Sequence, residues 1–501
     1  MSNYKPKTAS TKSLDKASLT DLGNAKRFVE EYKDLVKHCD ELGWLVWNGK
    51  KWEAGSENTV MQMADRLAEK VYREAEKMSY GDDRNAFLKH AKASMSMDRI
   101  NAMTAKAKPY LKIGFGELDK HPNLFNVDNG TINTDTGEFM PHEQSKDLYI
   151  TKMSPVRYRK DARCKEWLNR IKQAFPDEDT RRFIQKAMGY SLTGYTDEKC
   201  LFFPQGQTGT GKSTLLRVLE YISGDYGTKG ELESVTNMRR GGVTAHLDHL
   251  RGARFVSLSE TEEYHLNTKA IKDLTGFDSV TVNPKYKPVY TFLPEFKLWL
   301  VGNHLPTIND SQDALWRRIH LIPFKHPVKK ILEMSKVMDI YRRGASGILN
   351  WMLEGELMRQ AEGMKPSKEI EQATREYRTG EDDFSQFLNS LYEKDETARI
   401  EKTIFLADYN AYRKANGMYP KSQAFVGKRL ADQRIFTGGG GRMYYLGIRR
   451  LSVDERLERG LPVSEQEQTN DAITKAYEES KPSNEFEKIA NKKTKKYRVR
   501  E

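Results

Sequence analysis

Residues 206–213 read Gly206-Gln207-Thr208-Gly209-Thr210-Gly211-Lys212-Ser213, a complete match to the pattern G-x-x-x-x-G-K-[ST]. Such a segment can hold a polyphosphate. Glycines let backbone N–H groups turn inward around phosphate oxygens. A helix beginning at the lysine adds the positive end of its dipole. Lys212 can offset β- and γ-phosphate charge, and Ser213, followed by Thr214, can present a hydroxyl to Mg²⁺. The expected ligands are ATP and Mg²⁺. The apolar stretch Leu201–Pro204 before the motif and the amphipathic stretch Ser213–Ser223 after it supply the strand and helix that the motif needs.

A phosphate loop also needs a carboxylate at the end of a neighbouring strand. Arg254–Leu258 reads as that strand, and Glu260 lies just beyond it, followed by Glu262 and Glu263. Two adjacent acids usually occupy this place; here the pair is Ser259-Glu260. Glu260 can be the general base, a partner of the metal shell, or both. Asn303 ends another apolar stretch, Lys297–Gly302, where an amide can sense the γ-phosphate or position water. Trp316-Arg317-Arg318 precedes a further strand-like run. A guanidinium inserted from a neighbouring subunit stabilises charge on a transferring phosphoryl group, and Arg318 is favoured over Arg317 because it adjoins the strand.

The elements that must position these residues follow a strand–loop–helix–strand grammar from residue 198. Strands alternating with helices argue for an α/β fold with a parallel sheet covered on both faces. Upstream, residues 18–195 read as a mostly helical region. It carries a short hairpin at Gly43–Glu53 and a β insert at 123–155 with turns at Asn129-Gly130 and Thr136-Gly137. Downstream, 331–382 reads as a helical linker or lid. Residues 383–450 read as helices ending in a glycine-turned hairpin, a winged-helix-like unit rich in Lys421, Lys428, Arg429, Arg434 and Arg442. Residues 1–17 and 451–501 are polar or highly charged and are expected to be disordered and tail-like. The core itself is assigned to 196–330.

The chain has 501 residues, and Lys plus Arg exceed Asp plus Glu by 83 − 71 = 12. That excess suits a polyanionic partner. Cys39, Cys164 and Cys200 are too scattered for a zinc site or a disulfide framework and fit a reducing compartment. The N-terminus lacks the apolar run of a signal peptide, and no stretch of 18 apolar residues predicts a membrane span. The expected location is the cytoplasm, with a bacterial host.

Taken in order, the phosphate loop, the strand ending at Glu260, a basic hairpin, the strand ending at Asn303 and then Arg318 resemble superfamily 3 helicases of the AAA+ class. More closely they resemble the helicase portion of the phage/plasmid primase family, related to the poxvirus primase-helicase. Leu19–Ala25, Gly43–Trp52 and Asn126–Gly137 are similar to the domain preceding the helicase core in that family. The resemblance covers about 18–450. It implies a homohexameric ring, ATP sites between subunits, single-stranded or forked DNA as substrate, and 3′-to-5′ movement. It also implies that the hairpin within Val280–Phe292 contacts DNA through Lys285 and Tyr286, with Lys287 supporting. The chain begins almost where the helicase-associated part begins, so a primase domain is expected to be absent, and a separate primase or other replication proteins are expected partners. Two other readings stay open: an origin-binding ATPase that melts DNA without processive unwinding, and a non-hydrolysing DNA-binding scaffold.

Overall fold

The computed structural model describes residues 19–231, 244–259, 266–283, 289–302, 313–328, 333–381, 383–416, 420–438 and 443–461, with isolated positions such as 235, 306 and 308 and parts of 463–473. The chain divides into two compact units, Met1–Tyr377 and Arg378–Glu501. Residues 1–17, expected to be disordered, lie outside the described residues.

The first unit opens with α1 (Asp21–Tyr32), whose N-cap Thr20 accepts a hydrogen bond from the Gly23 N–H at 3.1 Å. An antiparallel sheet follows, made of β1 (Val36–Cys39), β2 (Gly43–Trp47) and β3 (Trp52–Ala54). The expected hairpin is present, with Trp47 opposite Trp52. Helices α2 (Glu57–Glu76), α3 (Asp82–Ser94) and α4 (Met97–Ala107) come next. Val60, Ala64, Leu67 and Val71 lie on one stripe of α2 and pack with Phe28, Ile100 and Met103, the spacing of an amphipathic helix. The β insert comprises β4 (Leu124–Val127), β5 (Gly130–Asn133) and β6 (Phe139–Met140). Val127 pairs with Gly130, so the turn is Asp128-Asn129, one residue earlier than the sequence suggests. Gly130 serves a different need: a Cβ there would strike the Met140 carbonyl and the Phe139 ring.

Helices α5 (Lys165–Ala174) and α6 (Glu178–Tyr190) lead into the central region. Its elements are β7 (Leu201–Gln205), α7 (Lys212–Ser223), β8 (Gly227–Lys229), β9 (Phe255–Ser259), α8 (Thr268–Thr275), β10 (Val280–Val282), β11 (Tyr290–Phe292), β12 (Lys297–Val301) and β13 (Ile319–Pro323). Five strands form a parallel sheet in the order β13-β7-β12-β9-β8. Four of them are the strands read from the sequence. The fifth, β8, is a three-residue edge strand with no apolar run to reveal it. Side chains alternate across the sheet. Phe202, Phe255, Trp299 and Ile322 enter one core, and Leu201, Phe203, Val256, Leu258, Leu298 and Leu300 enter the other. Both faces are therefore covered, as the apolar strands require.

Helices α9 (Met334–Arg343), α10 (Ala345–Glu362) and α11 (Lys368–Glu381) follow. Buried residues such as Ile348, Leu349, Trp351 and Met352 occur all round α10, so it is an interior helix. It approaches α6 so closely that a Cβ at Gly189 would meet the Met352 carbonyl and the Glu356 nitrogen.

In the second unit, α12 (Asp383–Leu391), β14 (Tyr392–Glu401), α13 (Lys402–Ala415), α14 (Gln423–Asp432), β15 (Thr437–Gly438), β16 (Tyr444–Arg450) and α15 (Val453–Glu458) enclose an aromatic core of Phe384, Phe387, Phe405, Tyr409 and Tyr445. Two details differ from the sequence expectation. Residues 383–450 read as helices up to the glycine-turned hairpin, but Tyr392–Glu401 is the edge strand of a sheet ordered β14-β16-β15; a charged edge strand shows no apolar alternation and discourages pairing with other chains. The expected tail also begins too early. Leu451 is buried and its N–H bonds the Leu391 carbonyl at 2.8 Å, while Ser452 and Glu455 form a capping box on α15.

His320 on β13 lies between the Phe183 and Phe202 rings, at 5.1 and 5.9 Å between centroids. Burial lowers its pKa from 6.5 to about 4. The unfolded chain therefore takes up this proton first. Stability from this residue is complete above the unfolded value and declines as pH falls through the window from 6.5 to about 4, by roughly 3 kcal/mol in total. Urea melts of wild type and His320→Leu at pH 7 and pH 4.5 check this: the variant should lose markedly less stability on acidification.

Candidate functional site

At the carboxyl end of β7 the chain turns sharply through residues 206–211. The Phe324 N–H bonds the Gln205 carbonyl at 2.6 Å, and the Val328 N–H bonds the Gly209 carbonyl at 2.9 Å, so the segment after β13 holds the loop. The Thr210 hydroxyl donates to the Gln207 carbonyl at 2.8 Å and closes it. Gly209 and Gly211 have φ of +83° and +104°, a region that L side chains rarely adopt. Gly211 carries a second constraint, because a Cβ there would strike the Arg170 guanidinium.

Helix α7 starts immediately afterwards, with Gly211 at its N-cap and, among the described residues, no side-chain cap for its first N–H groups. Those donors and the helix dipole favour an anion. Lys212 folds back over the loop. Its ammonium donates to the Gln207 carbonyl at 3.0 Å and also to the Gly206 carbonyl. The residue is 6% exposed, and burial lowers its pKa. Among the described residues no carboxylate pairs with it.

These groups line a cavity of about 610 Å³, within the range of small-molecule sites. Its walls come from separate elements. Thr208, Ser213 and Thr214 belong to the loop and α7; Asn169, Arg170 and Gln173 to α5; Met334, Val337, Ile340 and Tyr341 to α9. One end is thus polar and cationic, the other largely apolar. Ser259, the last residue of β9, and Gly302, just past β12, also line it. The strands leading to Glu260 and Asn303 therefore end at the cavity, while Glu260 and Asn303 themselves lie outside the described residues. So do Lys285, Tyr286 and Lys287; their flanking strands β10 and β11 pair antiparallel, Val282 opposite Tyr290.

Arg317 and Arg318 are elsewhere. Ile319 pairs with Leu201 at the start of β7, whereas the loop follows its end, so about 16 Å of strand separates them. Arg318 donates to the Thr275 hydroxyl at 2.8 Å; Arg317 is exposed.

Sequence reasoning missed Arg170, whose Nη2 donates to the Thr210 carbonyl at 2.7 Å. It also missed a set of buried cations at the far end of the sheet. Arg254 donates to the Leu192 carbonyl at 2.7 Å and the His121 carbonyl at 3.2 Å. Lys297, 1% exposed, bonds the Tyr195 carbonyl at 3.1 Å and also the Thr193 carbonyl. Burial pushes its pKa well down. A polar stripe on α5 was the available signal for Arg170; a lone Lys opening an apolar strand gave none for Lys297.

These features define a mixed α/β protein with a cationic loop-and-helix cavity at the carboxyl edge of a five-stranded parallel sheet. Known proteins narrow this further. Residues 25–176 match the family described as D5 N terminal like, and 205–318 match a family of unknown function, DUF5906. The chain is 25% identical over 341 residues to "Putative helicase L207/L206" of Acanthamoeba polyphaga mimivirus, covering 63% of this chain and 35% of the relative. It is 24% identical over 290 residues to "Putative helicase 022R" of Frog virus 3, covering 52% and 30%. With "Uncoating factor OPG117" of Monkeypox virus it shares 25% over 225 residues, covering 42% and 28%. The chain thus spans about a third of the length of the curated relatives it matches. The C-terminal region of NrS-1 aligns with a TM-score of 0.48 at 12% identity, over 86% of this chain and 99% of that one. At low identity, these matches make the chain similar to viral proteins named putative helicases and to the poxvirus protein OPG117.

Gly209→Ala and Gly211→Ala should differ in cost. Each forces a Cβ into left-handed backbone, at about 1–2 kcal/mol. Gly209 has open space around it, whereas Gly211 also meets Arg170. Chemical denaturation should show the larger loss for Gly211→Ala, and Arg170→Ala in the same chain should recover part of it.

Proposed function

We propose that the chain is an ATP-dependent DNA helicase with an AAA+-like phosphate-loop core of the superfamily 3 type. It would act in replication of a phage, plasmid or other mobile element, as a homohexameric ring translocating on single-stranded DNA at forks. The carrying observation is Lys212: a buried ammonium, bonded among the described residues only to loop carbonyls, beside a start of α7 that has no side-chain cap there. Buried cations demand compensation, and a triphosphate provides it. The strand order supports the same reading, because the loop follows β7 between two strands reached by crossover connections, where open parallel sheets bind ligands. The apolar walls from α9 give room for a base. The names of the viral relatives agree.

Among the described residues no cluster of three or more His, Cys, Asp or Glu side chains is built to hold a metal alone. The residues instead fit Mg²⁺ carried with the nucleotide: Ser213, exposed at the cavity, and Glu260, one residue past Ser259, would hold it. Bound there, it neutralises phosphate charge. Lys212 holds the β/γ end; Glu260 and Asn303 would orient water at the ends of β9 and β12.

The distance of Arg317 and Arg318 from their own loop favours action on a neighbouring subunit's nucleotide. Arg318 is engaged by Thr275, so Arg317, exposed, is the better inserted guanidinium. Lys285, Tyr286 and Lys287, which fall between β10 and β11 in the sequence, would grip DNA, lysine on phosphate without sequence preference and tyrosine against sugar or base. A separate primase or other replication proteins would complete the machinery.

The test is ATP turnover and strand displacement on a labelled fork with Mg²⁺. Displacement supports the proposal. Turnover without displacement points to an origin-melting ATPase, and no turnover overturns the reading. Lys212→Ala should cut turnover at least ~100-fold with an unchanged circular-dichroism spectrum. Arg317→Ala should bind ATP but turn it over at least ~1,000-fold more slowly, and mixing it with Lys212→Ala should restore part of the activity; mixtures that stay inactive would count against a site shared between subunits.

A further inference from the structure

We infer that Arg170 is a polyphosphate ligand of the loop cavity, supplied by α5 of the same chain rather than by the loop, its strands or a neighbour. The inference rests on the nucleotide reading above. Helix α5 is anchored by Trp167, buried, which meets the Tyr341 and Trp351 rings edge-on, each at 5.6 Å between centroids. That anchorage fixes the adjoining stripe, Asn169, Arg170 and Gln173, at the cavity, these three lying at helical i,i+3 and i,i+4 spacing. Arg170 reaches furthest. Its guanidinium lies over Gly211 and bonds the Thr210 carbonyl at 2.7 Å.

Three properties suit it to phosphate. A guanidinium has five donors, and among the described residues only the Thr210 carbonyl accepts from this one. No carboxylate pairs with it there, although Glu166 stands one turn earlier on the same helix and lines the same cavity. It also flanks, with Lys212, one short loop. Both cations are partly desolvated at one loop, and a ligand with several negative charges would compensate both. Arginine presents the planar fork that matches phosphoryl oxygens. Burial lowers the Arg170 pKa, the direction expected of a cation lacking a counter-charge. Glycine at 211 fits the same picture, since any side chain there would displace the guanidinium.

The test is equilibrium binding of N-methylanthraniloyl ATP and ADP to the full chain, with adenosine as competitor. Wild type, Arg170→Lys, Arg170→Gln and Lys212→Ala are compared, and thermal midpoints are measured without nucleotide. Arg170→Gln should bind both nucleotides at least ~10-fold more weakly, Arg170→Lys should keep part of the affinity because it keeps the charge, and adenosine competition should not change. Equal losses in the two Arg170 variants, or equal losses for adenosine and ATP, would mean that Arg170 only braces the loop and would overturn the inference. Wild-type affinity in Arg170→Gln with binding lost in Lys212→Ala would remove Arg170 and leave the loop reading standing. A wild-type chain that binds neither nucleotide would remove both.

Discussion

Lys212 keeps a positive charge out of water with two backbone carbonyls as its partners, and much of the first unit serves to hold it there. A lysine in that setting costs stability, since desolvation disfavours the ammonium and burial depresses its pKa. The cost is tolerated because the loop is fixed from several sides. The Phe324 and Val328 N–H groups hold its carbonyls, Thr210 closes it on itself, and α5 lays a second cation over Gly211. On the proposed reading, a loop fixed in this way would be set for an anion before the anion arrives, which is preorganisation.

The sheet that carries the loop is held in turn at its opposite end. There, cations are spent on carbonyl oxygens. Arg254 joins β9 to the His121 and Leu192 carbonyls, and Lys297 joins β12 to the Thr193–Tyr195 turn. Arg359 of α10 bonds the fully buried Glu356, and Asp197 and Glu198 beside it, while stacking on Tyr190. Removing one partner from such a network strands a buried charge, which costs several kcal/mol more than the pair contributes. The result fixes the residues before β7 against the starts of β9 and β12. The strand ends on the other side, where chemistry would occur, are then free to present Ser259 and Gly302 to the cavity.

The second unit illustrates a different balance. Its interior is a stack of aromatic rings, among them Phe387, Phe405, Tyr409 and Tyr445, and large rings give a small unit much buried area. Its edge strand β14 is charged along most of its length, so the sheet is closed to further pairing by polarity rather than by cover.

Much was legible in the order of residues alone. The glycine-rich loop pattern, the four long apolar strands, the helix after the loop, and the ends of β9 and β12 as neighbours of that loop all follow from local chemistry: glycine's freedom, helix dipoles and apolar runs act over a few residues. What the sequence left open depended on partners distant in the chain. Strand order, the edge strand β8 and the charged strand β14 arise from pairing, which local polarity does not report. The separation of Arg317 and Arg318 from the loop follows from parallel register. Arg170, forty residues upstream of the carbonyl it bonds, became part of the cavity only when Trp167 packed against Tyr341 and Trp351 and fixed α5. Periodicity names the face of a helix; only packing decides what that face meets.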